Sequence, residues 1–185
     1  NRFVERIDFM KSGAKVSKLF GYNRPIIEQQ KYSFLKAEKM RHPIIERIID
    51  YEYIPHDIEL GVPDQRSILL FGLNSAGKSA LMKAIGLNLI LAQAGLFVPC
   101  QKFTYSPYHS LFTRISSDDN LYRGISSYTH ELLDIGSILK RCNETCLVIG
   151  DEIFRSTEHI SGEALAASTI IKLNEKKCTF IFATH

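Results

Sequence analysis

A glycine-rich turn between an apolar run and an amphipathic helix is the feature that most restricts the fold of this chain. Residues Ile68-Leu69-Leu70-Phe71 form an apolar run without alternation, which is typical of a strand covered on both faces in a parallel sheet. The turn begins at Gly72, and a helix is predicted from Lys78 to about Ala94 because apolar residues recur there every three to four positions. Strand, turn and helix in this order predict an α/β fold.

The turn fits the Walker A pattern, in which backbone N–H groups wrap phosphate oxygens at the start of a helix, and it reads Gly72-Leu73-Asn74-Ser75-Ala76-Gly77-Lys78-Ser79. Gly72 permits the turn out of the strand, and Gly77 lets the backbone approach a phosphate. Lys78 offers a mobile positive charge, and the Ser79 hydroxyl can ligate Mg²⁺. The alternative is a turn that only caps the helix and leaves Lys78 in solvent. We expect a nucleotide site here.

Strands and helices are predicted to alternate along the rest of the chain. Strands are expected at Leu111–Ile115, Cys146–Ile149 and Cys178–Ala183, and helices at Ser127–Arg141 and Ser161–Leu173. This alternation predicts a doubly wound, mostly parallel sheet with helices on both faces. In such a sheet, ligands bind beyond the carboxyl ends of the strands.

Two acids follow the strand at Cys146–Ile149, which is the Walker B form. Asp151 is expected to hold Mg²⁺, and Glu152 to polarise the water that attacks the γ-phosphate. A solvated strand end is the alternative interpretation, because acids often follow strands. The position of these acids some seventy residues after Lys78 favours the joint Walker A and Walker B interpretation.

The N-terminal region has a different character. Apolar residues at helical spacing from Phe3 to Ala14 predict a helix that ends near Gly21. The segment from Asn23 to Pro63 contains four prolines, so short strands and turns are expected there. We interpret residues 1–40 as a helical lead-in from a preceding region of a larger protein and residues 41–185 as the main domain.

Composition excludes several classes of protein. A chain of 185 residues with 45% apolar content is long enough for one sizeable core, and its net charge of +3 is not gathered into a basic run typical of a DNA-binding surface. The four cysteines lack zinc-site spacing and are expected to be reduced core thiols. The longest apolar stretch, Ala84 to Val98, is too short for a membrane span, so we expect a soluble, intracellular protein.

Further motifs along the chain resemble the ATPase domain of the MutS family of DNA mismatch-repair proteins. They are Arg41-His42-Pro43-Ile44-Ile45-Glu46 (RHPxxE), Phe112-Thr113-Arg114-Ile115 with Asp118-Asp119-Asn120-Leu121 (FTRIGAxDxL), Gly124-Ile125-Ser126-Ser127-Tyr128 with Glu131 (GRSTFxxE), Arg155-Ser156-Thr157 after the acids, and Phe182-Ala183-Thr184-His185 (FATH). The resemblance covers nearly the whole chain. It implies a P-loop NTPase of the ABC-ATPase type that closes on ATP and Mg²⁺ as a homodimer or heterodimer.

The resemblance also implies individual roles. His185 is expected to sense the γ-phosphate, and Tyr53 to stack on adenine, although a core aromatic is the alternative for Tyr53. Ser126 and Ser127 are expected to reach the partner's nucleotide. The full set of expected nucleotide-binding residues is Tyr53, Gly72, Asn74, Ser75, Ala76, Gly77, Lys78, Ser79, Ala80, Ser126 and Ser127; catalysis is expected from Glu152, Lys78 and His185, and metal binding from Ser79 and Asp151.

The chain departs from the family's spelling at several positions. Its phosphate loop ends in Ala76-Gly77-Lys78-Ser79-Ala80 where the family has GGKST, and Gly150 replaces an apolar residue before the acids. These spellings are similar to those of MutS proteins of large DNA viruses.

The expected function is ATP hydrolysis coupled to clamping on mismatched DNA, which other domains would hold. Two alternatives stay open: another ABC-class ATPase, which the lack of an LSGGQ-like signature disfavours, and a nucleotide-sensing dimerisation module without turnover.

Overall fold

A computed structural model of the chain describes residues 1–73, 76–115, 127–154 and 159–184. The chain forms two compact units, each assembled from segments that are distant in sequence. The first unit comprises Asn1–Gln30, Leu35–Glu59 and Ala80–Pro107, and the second comprises Lys31–Phe34, Leu60–Ser79 and Tyr108–His185.

The described chain contains both helices and strands, and its described elements alternate strictly from residue 110 to residue 184. The helices are α1 (Arg2–Phe20), α2 (Lys78–Gln93), α3 (Ser127–Arg141) and α4 (His159–Glu175), and a 3₁₀ turn spans Ile45–Arg47. The strands are β1 (Ile26–Ile27), β2 (Phe34–Met40), β3 (His56–Leu60), β4 (Ile68–Phe71), β5 (Lys102–Ser106), β6 (Ser110–Arg114), β7 (Cys146–Asp151) and β8 (Thr179–Thr184). The predicted α/β class is therefore confirmed, and the predicted helix at Ser127–Arg141 has the bounds of α3.

Helix α1 ends where its sequence predicts. Gly21 adopts a left-handed conformation with φ 63°, and its N–H bonds the carbonyl of Ser17, while the Asn1 side chain caps the other end by accepting from the N–H of Phe3. The apolar residues that predict this helix are not buried within the chain, since Phe3 and Met10 are 69% and 68% exposed. Among the described residues, no helix is both long and apolar enough to cross a bilayer.

The first unit contains a four-stranded sheet that the sequence does not predict, with the order β1-β5-β2-β3. Strand β5 lies between β1 and β2, so its backbone groups pair with strands of the proline-rich segment. Val98 makes only an isolated bridge with Asn23, because Pro99 lacks the N–H that would extend a ladder.

The second unit contains a sheet of order β4-β8-β7-β6 whose pairs are all parallel. Strands β7 and β8 are central, and five consecutive residues of each are buried. Strand β4 was expected to be covered on both faces, and this expectation is wrong: Leu69 and Phe71 are 40% and 68% exposed. The reason is that β4 is at the edge of this sheet, where the described part of the chain pairs it with β8 alone.

Helices α3 and α4 pack against this parallel sheet through a single apolar cluster. The cluster joins residues of both helices to alternate residues of β7 and β8, including Ile138, Leu173, Val148 and Phe182. Three cysteines of the cluster, Cys142, Cys146 and Cys178, are buried free thiols, as is Cys100. Burial raises the pKa of Cys100 to about 12, so this thiol stays protonated at neutral pH.

Gly150, one residue before the Walker B acids, makes room for an aromatic ring. It pairs with Phe182 on β8, and a Cβ at position 150 would lie 2.7 Å from two ring carbons of Phe182 and 3.1 Å from Ile153. Phe182 is itself 2% exposed, so its ring has little space into which it could move. The glycine that departs from the family's spelling is therefore complementary to this phenylalanine.

We predict that Gly150→Ala destabilises the protein by roughly 1–3 kcal/mol, because the added methyl group overpacks the core. The matched control is Gly136→Ala in α3, where a Cβ meets nothing within 4 Å. That change should stabilise the protein by roughly 0.5–1 kcal/mol through helix propensity. Urea unfolding of both variants measures the two effects, and equal stabilities would contradict the packing assigned to Phe182.

Candidate functional site

The Walker A and Walker B residues that the structure describes lie at the carboxyl edge of the parallel sheet. Strand β8 lies between β4 and β7, and its residues 183 and 184 pair with Asp151 and Phe71 respectively. The Walker A turn leaves β4 and the Walker B acids end β7, so both reach this edge. The sequence separates them by some seventy residues, and the strand order brings them together.

The described part of the Walker A turn is closed by backbone and lysine hydrogen bonds. The N–H of Ala76 donates to the carbonyl of Leu73 at 3.3 Å and closes the turn. Gly77 has φ 88°, a conformation that residues with a Cβ rarely adopt. Lys78 folds back over the turn, and its Nζ donates to the carbonyls of Gly72 and Leu73 at 2.5 and 3.1 Å. The ammonium group is thus held at the turn by two backbone carbonyls, in contacts that are exposed to solvent.

Ser79 and Asp151 are in direct contact. The hydroxyl of Ser79, at the start of α2, donates to Oδ2 of Asp151 at 2.5 Å. Both are hard oxygen donors of the kind that Mg²⁺ prefers, and Mg²⁺ commonly combines one carboxylate with a hydroxyl, waters and substrate phosphates. The pair therefore fits the predicted metal role. Among the described residues, there is no cluster of three or more His, Cys, Asp or Glu side chains that could hold a metal ion.

Glu152 stands in a constrained turn directly after Asp151. Its φ is 49° and that of Phe154 is 62°, both in the left-handed region that residues with a Cβ avoid. The N–H of Glu152 donates to the carbonyl of Ala183 at 3.1 Å, and the N–H of Phe154 donates to Oε1 of Glu131 at 2.6 Å. The turn is therefore anchored to both β8 and α3.

The RHPxxE motif lies in the first unit, and several of its residues form hydrogen bonds with one another. Nη1 of Arg41 pairs with Oε2 of Glu46 at 3.0 Å, and its Nη2 donates to the carbonyls of Phe20 and Gly21 at the end of α1. His42 accepts the N–H groups of Ile44 and Ile45 at Nδ1, both at 3.1 Å. Burial lowers the pKa of His42, which favours the neutral form that these bonds need. The motif is thus a structural latch for the end of α1 and the 3₁₀ turn.

Tyr53 lies in the first unit and is partly buried. Its ring meets that of His56 edge-on, with 6.4 Å between centroids, and burial raises the pKa of its hydroxyl. Its role in stacking on adenine stays a prediction.

Several predicted site residues fall outside the described residues: Asn74, Ser75, Ser126, His185 and the segment 155–158. Ser127 is the first residue of α3, although its side chain is not among those described. Ala80 lies in the first turn of α2. Strand β8 ends at Thr184, and His185 follows it in the sequence.

Comparison with known proteins decides the family. The family described as MutS domain V matches residues 68–185. A mutS homolog of Acanthamoeba polyphaga mimivirus, named as a DNA mismatch repair protein, is 40% identical over 100% of this chain. The chain belongs to the MutS family.

Other MutS relatives match with similar coverage. The mitochondrial DNA mismatch repair protein mutS homolog of Sarcophyton glaucum is 40% identical over 98% of the chain, and the DNA mismatch repair protein MutS of Petrotoga mobilis is 36% identical over 98%. The chain spans about a fifth of the length of these curated relatives: 20%, 19% and 22% of the three named here. The resemblance predicted from the motifs is therefore confirmed.

Sequence reasoning missed two contacts in this MutS chain. The sequence indicates Glu131 only as part of the GRSTFxxE motif, whereas in the structure its carboxylate holds the turn that carries Glu152. Gly150 was noted only as a departure, but it accommodates Phe182. Neither contact has a local signal in the sequence, because each joins residues of separate elements, and periodicity does not give the register that pairs Gly150 with Phe182.

We predict a measurable coupling within the RHPxxE latch. A double-mutant cycle on Arg41→Ala and Glu46→Ala should give a coupling free energy of about 1 kcal/mol, because the Glu46 carboxylate is only 8% exposed. The control pair in the same unit is Lys36 and Glu59, 3.4 Å apart and 48% and 50% exposed. Its coupling should stay below about 0.5 kcal/mol, the usual range for surface pairs. Equal couplings in chemical denaturation would argue against the latch.

Proposed function

We propose that this chain binds ATP with Mg²⁺ and hydrolyses it as the ATPase domain of a MutS-type DNA mismatch-repair protein. The observation that carries the proposal is the contact between the Ser79 hydroxyl and the Asp151 carboxylate. Two oxygen donors from the two Walker motifs meet at the sheet edge where a doubly wound fold binds its ligands. A turn that only caps a helix would not need this pairing.

Each residue of the edge has a task that its chemistry suits. Backbone N–H groups between Gly72 and Ser79 would surround the phosphates at the start of α2, where the helix dipole favours negative charge. Lys78 would exchange the carbonyls of Gly72 and Leu73 for phosphate oxygens, which are better partners for an ammonium group. Ser79 and Asp151 would hold Mg²⁺, which when bound neutralises charge on the phosphate oxygens.

Glu152 is the proposed general base. It follows Asp151 directly, so it would lie within one water of a phosphate bound at the same edge. Positioning and charge neutralisation account for most of the catalysis of phosphoryl transfer, so a carboxylate that orients and deprotonates water is what the reaction requires. His185 is proposed to sense the γ-phosphate from the end of β8.

The proposal extends to the assembly. We propose an ABC-type arrangement in which two such domains, identical or different, close on nucleotide, with Ser126 and Ser127 at the start of α3 reaching the partner's phosphate. The relatives named above as mismatch repair proteins support DNA as the ultimate target. Mismatched double-stranded DNA would be held by other parts of the protein, and nucleotide state would control its clamping.

Nucleotide binding should depend on Lys78. We predict that ATP with Mg²⁺ raises the Tm of the full-length protein and that Lys78→Ala removes the shift, because the ammonium group no longer meets the phosphates. Lys83→Ala, an exposed lysine further along α2, is the matched control and should keep the shift. A Lys78→Ala protein that is stabilised as strongly as the wild type would refute the cradle.

Hydrolysis should depend on Glu152. We predict that Glu152→Gln lowers kcat for ATP about 10²- to 10⁴-fold, the range for loss of a general base, while the thermal shift with ATP is kept. Glu175→Gln, at an exposed carboxylate at the end of α4, should leave kcat unchanged. Equal, negligible turnover by wild type and Glu152→Gln would instead indicate a nucleotide-sensing module without hydrolysis.

A further inference from the structure

Glu131 is a buried acid on α3. It is distant in sequence from the turn that follows Asp151, but it accepts a hydrogen bond from that turn. It is 4% exposed on α3, and its Oε1 accepts the N–H of Phe154 at 2.6 Å. Phe154 is also 4% exposed and belongs to the apolar cluster between the helices and the sheet. A buried N–H needs an acceptor, and in this turn a side chain and not a strand provides it.

The turn that receives this bond has an unfavourable backbone conformation. Glu152 and Phe154 both have positive φ, at 49° and 62°, although neither is glycine. Such conformations persist where surrounding contacts over-determine them. The contacts here are the bond from the Glu152 N–H to Ala183, the packing of Ile153 and Phe154 in the apolar cluster, and the bond to Glu131. Loss of the Glu131 acceptor would let the turn relax toward an ordinary conformation.

We propose that Glu131 is a positioning residue for Glu152: its carboxylate holds the left-handed turn that aims the general base at the nucleotide. The inference rests on the proposed function of Glu152. A displacement of about 1 Å at a catalytic group can cost 10²-fold in rate, so a contact two residues away is close enough to matter. Nucleotide binding does not use this turn and is expected to be independent of Glu131.

The test compares three variants of the full-length protein. Glu131→Met keeps the length of the side chain and helix propensity but removes the acceptor. Glu131→Gln keeps an acceptor oxygen and removes the charge. Asp134→Asn makes the same acid-to-amide change on the same helix at a side chain that is 56% exposed. Steady-state kcat for ATP and the Kd for ATP with Mg²⁺ are measured for each, beside wild type and Glu152→Gln.

Glu131→Met is expected to lower kcat about 10- to 100-fold and to change Kd less than about 3-fold. Glu131→Gln and Asp134→Asn are expected to keep kcat within about 3-fold of wild type. A lower kcat with an unchanged Kd in Glu131→Met, together with a normal kcat in Glu131→Gln, is a result that a merely structural residue would not produce.

Three outcomes would overturn the proposal. Wild-type kcat in Glu131→Met, while Glu152→Gln is inactive, would leave the ATPase function intact and refute the positioning role alone. Loss of nucleotide binding together with turnover in Glu131→Met, or equal losses in Glu131→Met and Glu131→Gln, would mean that Glu131 maintains the fold or supplies charge. An inactive wild type would refute the proposed function and this inference together.

Discussion

The pairing of β8 with both β4 and β7 is the constraint on which the candidate site depends. Two motifs that are distant in the chain meet because the last strand lies between the strands that carry them. The parallel direction of all three strands turns their carboxyl ends to one edge, and the Ser79 hydroxyl reaches the Asp151 carboxylate across that edge. Any change that shifted the register of β8 would separate the proposed metal ligands even if no site residue were altered.

The turn after Asp151 shows how a core can hold a reactive group in an unfavourable conformation. Gly150 gives space to the Phe182 ring, and that ring joins Phe154 in the apolar cluster. Glu131 then provides the acceptor that the buried Phe154 N–H requires. Packing and hydrogen bonds thus offset the cost of two left-handed residues, and the site that we propose for hydrolysis is built from the same contacts that stabilise the second unit.

Motifs shared with a family differ in what they do in this molecule. The Walker residues converge on one edge and carry the proposed chemistry. The RHPxxE residues bind one another and the end of α1, so their pattern reflects the needs of local structure. Family membership, shown by the match over residues 68–185 and by relatives 36% to 40% identical, does not by itself distinguish these two kinds of motif. The contacts of the individual side chains do.

The sequence by itself determined the α/β class, helix bounds such as those of α3, the Walker residues and the MutS family. These follow from periodicity and short spacing, which record interactions between neighbours in the chain. It did not determine the sheet of the first unit, the exposed edge position of β4, or the bond from Glu131 to Phe154. Strand order and buried hydrogen bonds join residues that are far apart in sequence, and their free energy depends on tertiary packing that leaves no local pattern. Only the folded chain decided which carboxylate reaches which backbone N–H.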